Sequence, residues 1–196
     1  MVDRFLAHLP VGERVPVRAD GIPGWPIFPF EGDLRVRILN EPQLPEPPRN
    51  GDDGPAACEV CADTSRTIWA DEHWRVDRLD APTAVPVTVL LRPVGHYDLT
   101  DLPPERAAEI GPMLQRVDRA ITALGGIARV HVHKWGDGQA HLHLWLIARP
   151  AGMGQLRGMC LPIWEDVLPK QDEQQWRQAL REVAANLAAD GGTAYA

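Results

Sequence analysis

The chain has 196 residues, 44% of them hydrophobic, which suits one domain with additions or two small ones around a real core. A net charge of −7 excludes general electrostatic attraction to a nucleic-acid duplex or an anionic membrane, but leaves room for a local basic pocket that takes one phosphate. No apolar run approaches the ~20 residues of a bilayer span, and the first ten residues do not read as a signal peptide. Three cysteines make a poor disulfide framework, so a cytoplasmic protein with a metal site or a redox pair is expected.

Residues 1–40 form an N-terminal extension with two strand-like pieces, 15–18 and 34–39. The second alternates apolar residues with Arg35 and Arg37, the period of a half-buried strand. Between them, 21–30 is rich in proline and aromatics and reads as irregular. The Pro/Gly-rich stretch 41–56 reads as a linker, 57–170 as the main domain, and 171–196 as a C-terminal helix and tail.

In the main domain, 67–79 reads as one or two strands, and the β-branched 85–91 as a buried strand. A helix is expected to start in 99–106, with Thr100 or Asp101 as cap, prolines in its first turn and Glu105 early. Ala107, Ile110, Leu114, Val117 and Ile121 then recur on one helical face until Gly125-Gly126 stops the run. Residues 128–134 and 140–148 read as two strands joined by a tight turn at 135–138. Trp176, Leu180, Val183 and Leu187 mark a last helix over 173–189. Strands joined by hairpins, with one helical crossover, make an α+β fold.

Four of the seven histidines lie between 131 and 143. On strands, His131 and His133 share one face, and so do His141 and His143. Such pairs line a site, bind a metal, or sit half-buried in a sheet without chemistry. The last is the favoured reading for the first pair. Cys58 and Cys61 form a Cys-x-x-Cys pair, which by itself fits a redox pair, half a zinc site or coincidence. Cys160 is isolated and reads as a small buried apolar residue.

The run Gly136-Asp137-Gly138-Gln139-Ala140-His141-Leu142-His143-Leu144-Trp145, ending at Arg149-Pro150, resembles the signature of the histidine-triad superfamily. Arg92-Pro93-Val94-Gly95-His96 resembles that family's Pro-x-x-His segment, and 72–80, ending in Asp80, its Glu-Asn strand with a ribose-contacting acid. The resemblance covers roughly residues 58–165. It implies an antiparallel sheet of about five strands with helices on one side, and a homodimer. It also implies a nucleotide or nucleotide conjugate as ligand, with His143 attacking the α-phosphorus to form a nucleotidyl-histidine that water or an acceptor phosphate resolves. A hydrolase and a transferase share that intermediate.

The same resemblance gives Gln139 contact with the bridging or leaving oxygen, the backbone around Gly138 the phosphate oxygens, and Asp80 the ribose, with Asp77 as its competitor. His133 stands in place of a family asparagine, although a two-residue turn at Gly136-Asp137 would face it away from His143 unless a bulge intervenes. Trp145 occupies the third histidine position, which is glutamine in the galactose-1-phosphate uridylyltransferase branch. Zinc-binding members use four ligands that here are Cys58, Cys61, His96 and His141, implying a closed structural Zn2+ site. The alternative is a nucleotide-binding or interaction protein of this fold with little turnover; a purely structural zinc module is a third reading. Trp69 and Trp74 shape a base pocket or pack in the core, Trp164 packs or lies over the dimer or substrate site, Arg149 meets a phosphate or ends its strand in solvent, and the Gly-rich loop 152–158 around Arg157 closes over substrate or merely connects.

Overall fold

The structure, a computed structural model, describes residues 13, 14, 16, 17, 21–38 and 41–195. The chain divides into two compact units, Met1–Pro47 and Pro48–Ala196. The division falls inside the 41–56 stretch read as a linker.

In the first unit, Ile22–Gly24 forms a single 3-10 turn within the irregular aromatic segment. Residues 34–38 are not a strand: they are mostly exposed and join no ladder, since an alternating pattern needs a neighbouring strand to pair with. Residues 15, 18 and 39 of the two strand-like pieces lie outside the described residues.

The second unit runs α1 (Glu59–Ala62), β1 (Thr67–Ala70), β2 (Trp74–Arg78), β3 (Thr88–Pro93), α2 (Pro104–Thr122), β4 (Ile127–His133), β5 (Leu144–Pro150), α3 (Leu161–Val167), α4 (Glu173–Ala188) and β6 (Thr193–Ala194). It is an α+β fold on one antiparallel sheet in the order β4-β5-β3-β2-β1-β6. Asp71 closes the β1–β2 hairpin, its Oδ1 accepting from the amides of His73 and Trp74 at 2.9 and 2.7 Å. The start of α2 differs from expectation. Pro103 is its cap residue and has no side-chain atom that could make a cap bond, while Asp101 Oδ1 takes the amide of Asp98 at 2.6 Å. Gly125 and Gly126, both at positive φ, end that helix as expected.

Side chains alternate across the strands, so the sheet has two unlike faces. One carries Trp69, Trp74, Val76, Val89, Leu91, Leu146 and Ala148, buried under Val117 and Ile121 of α2 and Trp176, Leu180, Val183 and Leu187 of α4. Each such side chain stabilises the fold by about 1.5–3 kcal/mol relative to leaving it in water. Trp69 and Trp74 are therefore core residues on the helix side, not walls of a base pocket. The opposite face carries Ile147, Trp145, Arg92, Asp77 and Arg75. Part of it is covered by Leu161, Trp164 and Leu168 in and beside α3, with Val85 and Leu156. The helices thus lie on both faces rather than one. No helix among the described residues is long and apolar enough to cross a membrane.

The sixth strand was not foreseen, because two residues carry no periodicity. Beyond α4 the chain turns back through Gly191 and Gly192 to pair Ala194 with Trp69 and Thr193 with Ala70. Gly191 O accepts from Trp69 Nε1 at 3.0 Å. Gly192 sits at φ +75°, and a Cβ there would lie 2.5 Å from the Trp69 ring and 2.7 Å from Ala70 O. Gly192→Ala is expected to lose about 1–3 kcal/mol of stability, read as a lower midpoint in urea denaturation.

Candidate functional site

The site gathers where three irregular segments meet the ends of β3 and β5. The sequence reading put 140–148 in a strand after a tight turn. In the structure β5 begins only at Leu144, and residues 134–143 leave the sheet. Their backbone bonds go elsewhere. Asn50 N donates to Gly138 O at 3.1 Å, Ala140 N to Asn50 O at 2.9 Å, and Leu142 N to Tyr97 O at 2.7 Å. Arg49 Nη1 ties down the same loop through Gly136 O (3.1 Å) and also meets Asp98 (2.7 Å). Asn50 Oδ1 accepts from Glu59 N at 3.0 Å. Residues 49–51 are therefore a strap that joins the glycine loop to α1. The sequence reading missed it, because Pro, Gly and Asp around Asn50 look like a solvated connection.

Cys58, Cys61, His96 and His141 come together as expected, each offering a donor atom within 4.8 Å of the others. Cys58 Sγ lies 3.8 Å from His141 Nδ1, and Cys61 Sγ lies 3.4 Å from both His96 Nδ1 and His141 Nδ1. A tetrahedral Zn2+ with bonds near 2.3 Å to sulfur and 2.0 Å to nitrogen needs S···N edges of about 3.5 Å. The outward nitrogens are already held: His96 Nε2 donates to Gly51 O (3.1 Å) and His141 Nε2 to Pro93 O (2.9 Å). Those bonds place the proton on Nε2 and turn the Nδ1 lone pair inward, the orientation metal-ligating imidazoles need. Burial pushes His141 down to about 4, so it stays neutral. Burial, and then the bond to Cys58, pushes Cys61 up to about 11, so this thiol ionises only with a cation beside it. The donor set fits a closed four-coordinate metal site. A bond joins Arg75 Nη2 to Val60 O at 2.7 Å, anchoring the Cys-x-x-Cys turn on β2.

His143 is two residues further on and 9% exposed. Its Nδ1 donates to His141 O at 2.9 Å, which leaves Nε2 as the unprotonated nitrogen. Burial, the largest influence, pulls its pKa below the usual histidine value, with the His141 bond opposing. The ring at the third histidine position, Trp145, stands edge-on to His143 at 6.3 Å.

His133 resolves differently from both alternatives in the sequence. It pairs with Trp145, not Ala140, because the glycine loop leaves the ladder instead of turning tightly. It therefore lies on the face of Trp145, stacked on Trp135 at 4.8 Å and on His131 at 6.5 Å. Gln139 accepts a bond from Arg92 Nη1 at 3.0 Å. Asp80 sits past the end of β2, away from the level of His143, with its carboxylate on Arg66 Nη1 at 3.1 and 3.2 Å. Its competitor Asp77 is buried and taken by Thr67 Oγ1 (2.8 Å), Arg75 (3.4 Å) and Arg92 (3.2 Å). Arg149 donates to Met153 O, and Cys160 is a buried thiol beside α3.

No family model matches the sequence, and no curated protein does. Solved structures do match. A Zn-bound histidine-triad family protein from Mycobacterium smegmatis aligns over 70% of this chain and 99% of its own, with 24% identity and a TM-score of 0.51. The chain has the histidine-triad fold. Histidine-triad proteins from Marinobacter aquaeolei and Bradyrhizobium japonicum, each 19% identical at a TM-score of 0.50, align over 63% and 62% of this chain and 88% and 89% of theirs. Within this fold the sheet is six-stranded, and His141 of the expected metal cluster and His143 share the loop that leads into β5.

Proposed function

We propose that the chain is a nucleotide phosphate hydrolase or nucleotidyltransferase that works through a nucleotidyl-histidine on His143, beside a structural Zn2+ on Cys58, Cys61, His96 and His141. One observation carries the reading: a nearly buried imidazole whose Nδ1 is bound to His141 O, presenting Nε2 as the nucleophile. Nε2 forms a bond to the α-phosphorus, and the leaving oxygen departs with its electron pair. Water or an acceptor phosphate oxygen then attacks the same phosphorus, and the N–P electrons return to Nε2. The zinc, when bound, fixes His141 and so the carbonyl that holds His143; it is closed and takes no part in the chemistry.

Backbone N–H groups of the glycine loop around Gly138 suit the phosphate oxygens. Gln139 suits the bridging or leaving oxygen, and His133 and Trp145 the wall beside the phosphate; Asp80, held by Arg66 past the end of β2, is not assigned the ribose. An indole N–H does not supply a proton near neutral pH. Trp145 therefore favours leaving groups that depart as anions, such as phosphates, over amines that must be protonated. The outer edge of β4, unpaired among the described residues, supports a homodimer.

The test is intact-mass spectrometry of the protein mixed with dinucleoside polyphosphates or nucleotide sugars and quenched in alkali. A gain of one nucleotidyl group on the intact chain, mapped to the His143 peptide after digestion, is expected. Absence of that adduct with every substrate of both classes, in fully folded protein, would leave the alternative of a nucleotide-binding protein with little turnover.

A further inference from the structure

Arg92 is 6% exposed, on β3, one step beyond the Leu91–Leu144 pair and so beside His143. It is the one charged residue of a strand otherwise made of Thr, Val, Leu and Pro, where burying a guanidinium is costly unless something needs it. Its Nε meets Asp77 Oδ2 at 3.2 Å, and Arg75 Nε meets the same oxygen at 3.4 Å. Two buried guanidiniums therefore share one carboxylate, leaving a surplus positive charge on the floor beneath His143. A structure that served stability alone would do better without it.

The other bond of Arg92 runs to Gln139 Oε1. Arginine has donors and no acceptor, so the amide of Gln139 must turn its oxygen to Arg92. Its NH2 then points away, and it meets no acceptor among the described residues. Glutamine on a glycine loop has little packing of its own to hold a rotamer, and Arg92 supplies the restraint.

We infer that Arg92 is a positioning residue: anchored by Asp77, it holds the Gln139 amide so that its NH2, not its oxygen, faces the anionic phosphate attacked by His143. This rests on the function proposed above. The phosphate oxygens are acceptors only, so an inverted amide would repel them and a free one would need ordering in the transition state.

Two measurements separate this inference from the reading beneath it. The first needs no turnover. In 15N-labelled protein the side-chain amide of Gln139 is assigned by its loss in Gln139→Leu. Arg92→Met is expected to move that pair of resonances and speed their solvent exchange, and Arg92→Lys to do so less. Unchanged resonances in Arg92→Met overturn the inference whether or not the protein is an enzyme. The second is a double-mutant cycle on the rate of adduct formation. Arg92→Met and Gln139→Ala are each expected to lower kcat about 100-fold with KM changed less than about 3-fold, on the scale of one lost transition-state donor. The double variant should be no slower than Gln139→Ala alone. Additive losses overturn the inference, as does a loss confined to KM. If the wild-type protein forms no adduct, the functional reading falls and the resonances alone decide the role of Arg92. Arg92→Lys guards against a folding artefact, since it keeps the buried charge and should retain metal and melting temperature.

Discussion

His143→Ala is expected to bring nucleotidyl transfer to the protein below detection, a fall of at least about 10³-fold, because the covalent route loses its only nucleophile. His143 makes one hydrogen bond and ligates nothing in the Cys/His cluster. Its removal should therefore leave metal content intact and change stability by only about 1–2 kcal/mol, for one lost bond and a small void. That combination, full metal and no adduct, separates a chemical role from a structural one. His143→Ala protein that still carries a nucleoside monophosphate after alkaline quench would move the nucleophile to another residue.

The second large effect concerns the metal. Purified protein should hold about one zinc per chain, by the fit of the donor set to tetrahedral geometry. Cys58→Ser and His141→Ala should each abolish it. The loss should be heavy in stability, because four donors from three segments are tied at one point and the Cys61 thiol is set in surroundings that disfavour a bare thiolate. A cost of about 3–5 kcal/mol is expected, which for a unit of this size is roughly 10–15 °C in Tm. Adduct formation at His143, under the proposed function, should fall in these variants too, since His141 supplies both a ligand and the carbonyl that orients His143. Wild-type protein that melts at one temperature with and without a strong chelator, and carries no zinc, would remove the metal from this account.

The strands and helices of the second unit were legible wherever apolar residues kept a period for several turns, as in α2, α4 and β3. The metal cluster and His143 were legible through the resemblance of short motifs, not through periodicity. What stayed hidden shares a physical character. The strap at Asn50 acts through its backbone, and backbone hydrogen bonding to a distant loop leaves no mark in side-chain pattern. The detour of 134–143 follows from those same bonds, so the tight turn expected there was wrong and the register of His133 with it. Arg92 was visible as a charge within an apolar strand, and Arg75 and Asp77 alternate in the neighbouring one. That was a signal for a buried ion network, but it needed the pairing of β2 with β3 to be read. The N-terminal alternation at 34–38 misled for the opposite reason: the period was present, and among the described residues the partner strand was not.

The bridge between Asn50 and Gln139 joins residues 89 positions apart (139 − 50). Closing so long a span before any reward is collected is slow, and contacts of that reach are completed late in folding. The hairpin of β1 and β2 and the helix α2 are local and order early by comparison. The loop that carries His143 is thus completed after the local elements on which it rests, as is the still longer-range pairing of Trp69 with Ala194. Local opening of the strap would free the loop that carries His143 while the core stays closed to solvent.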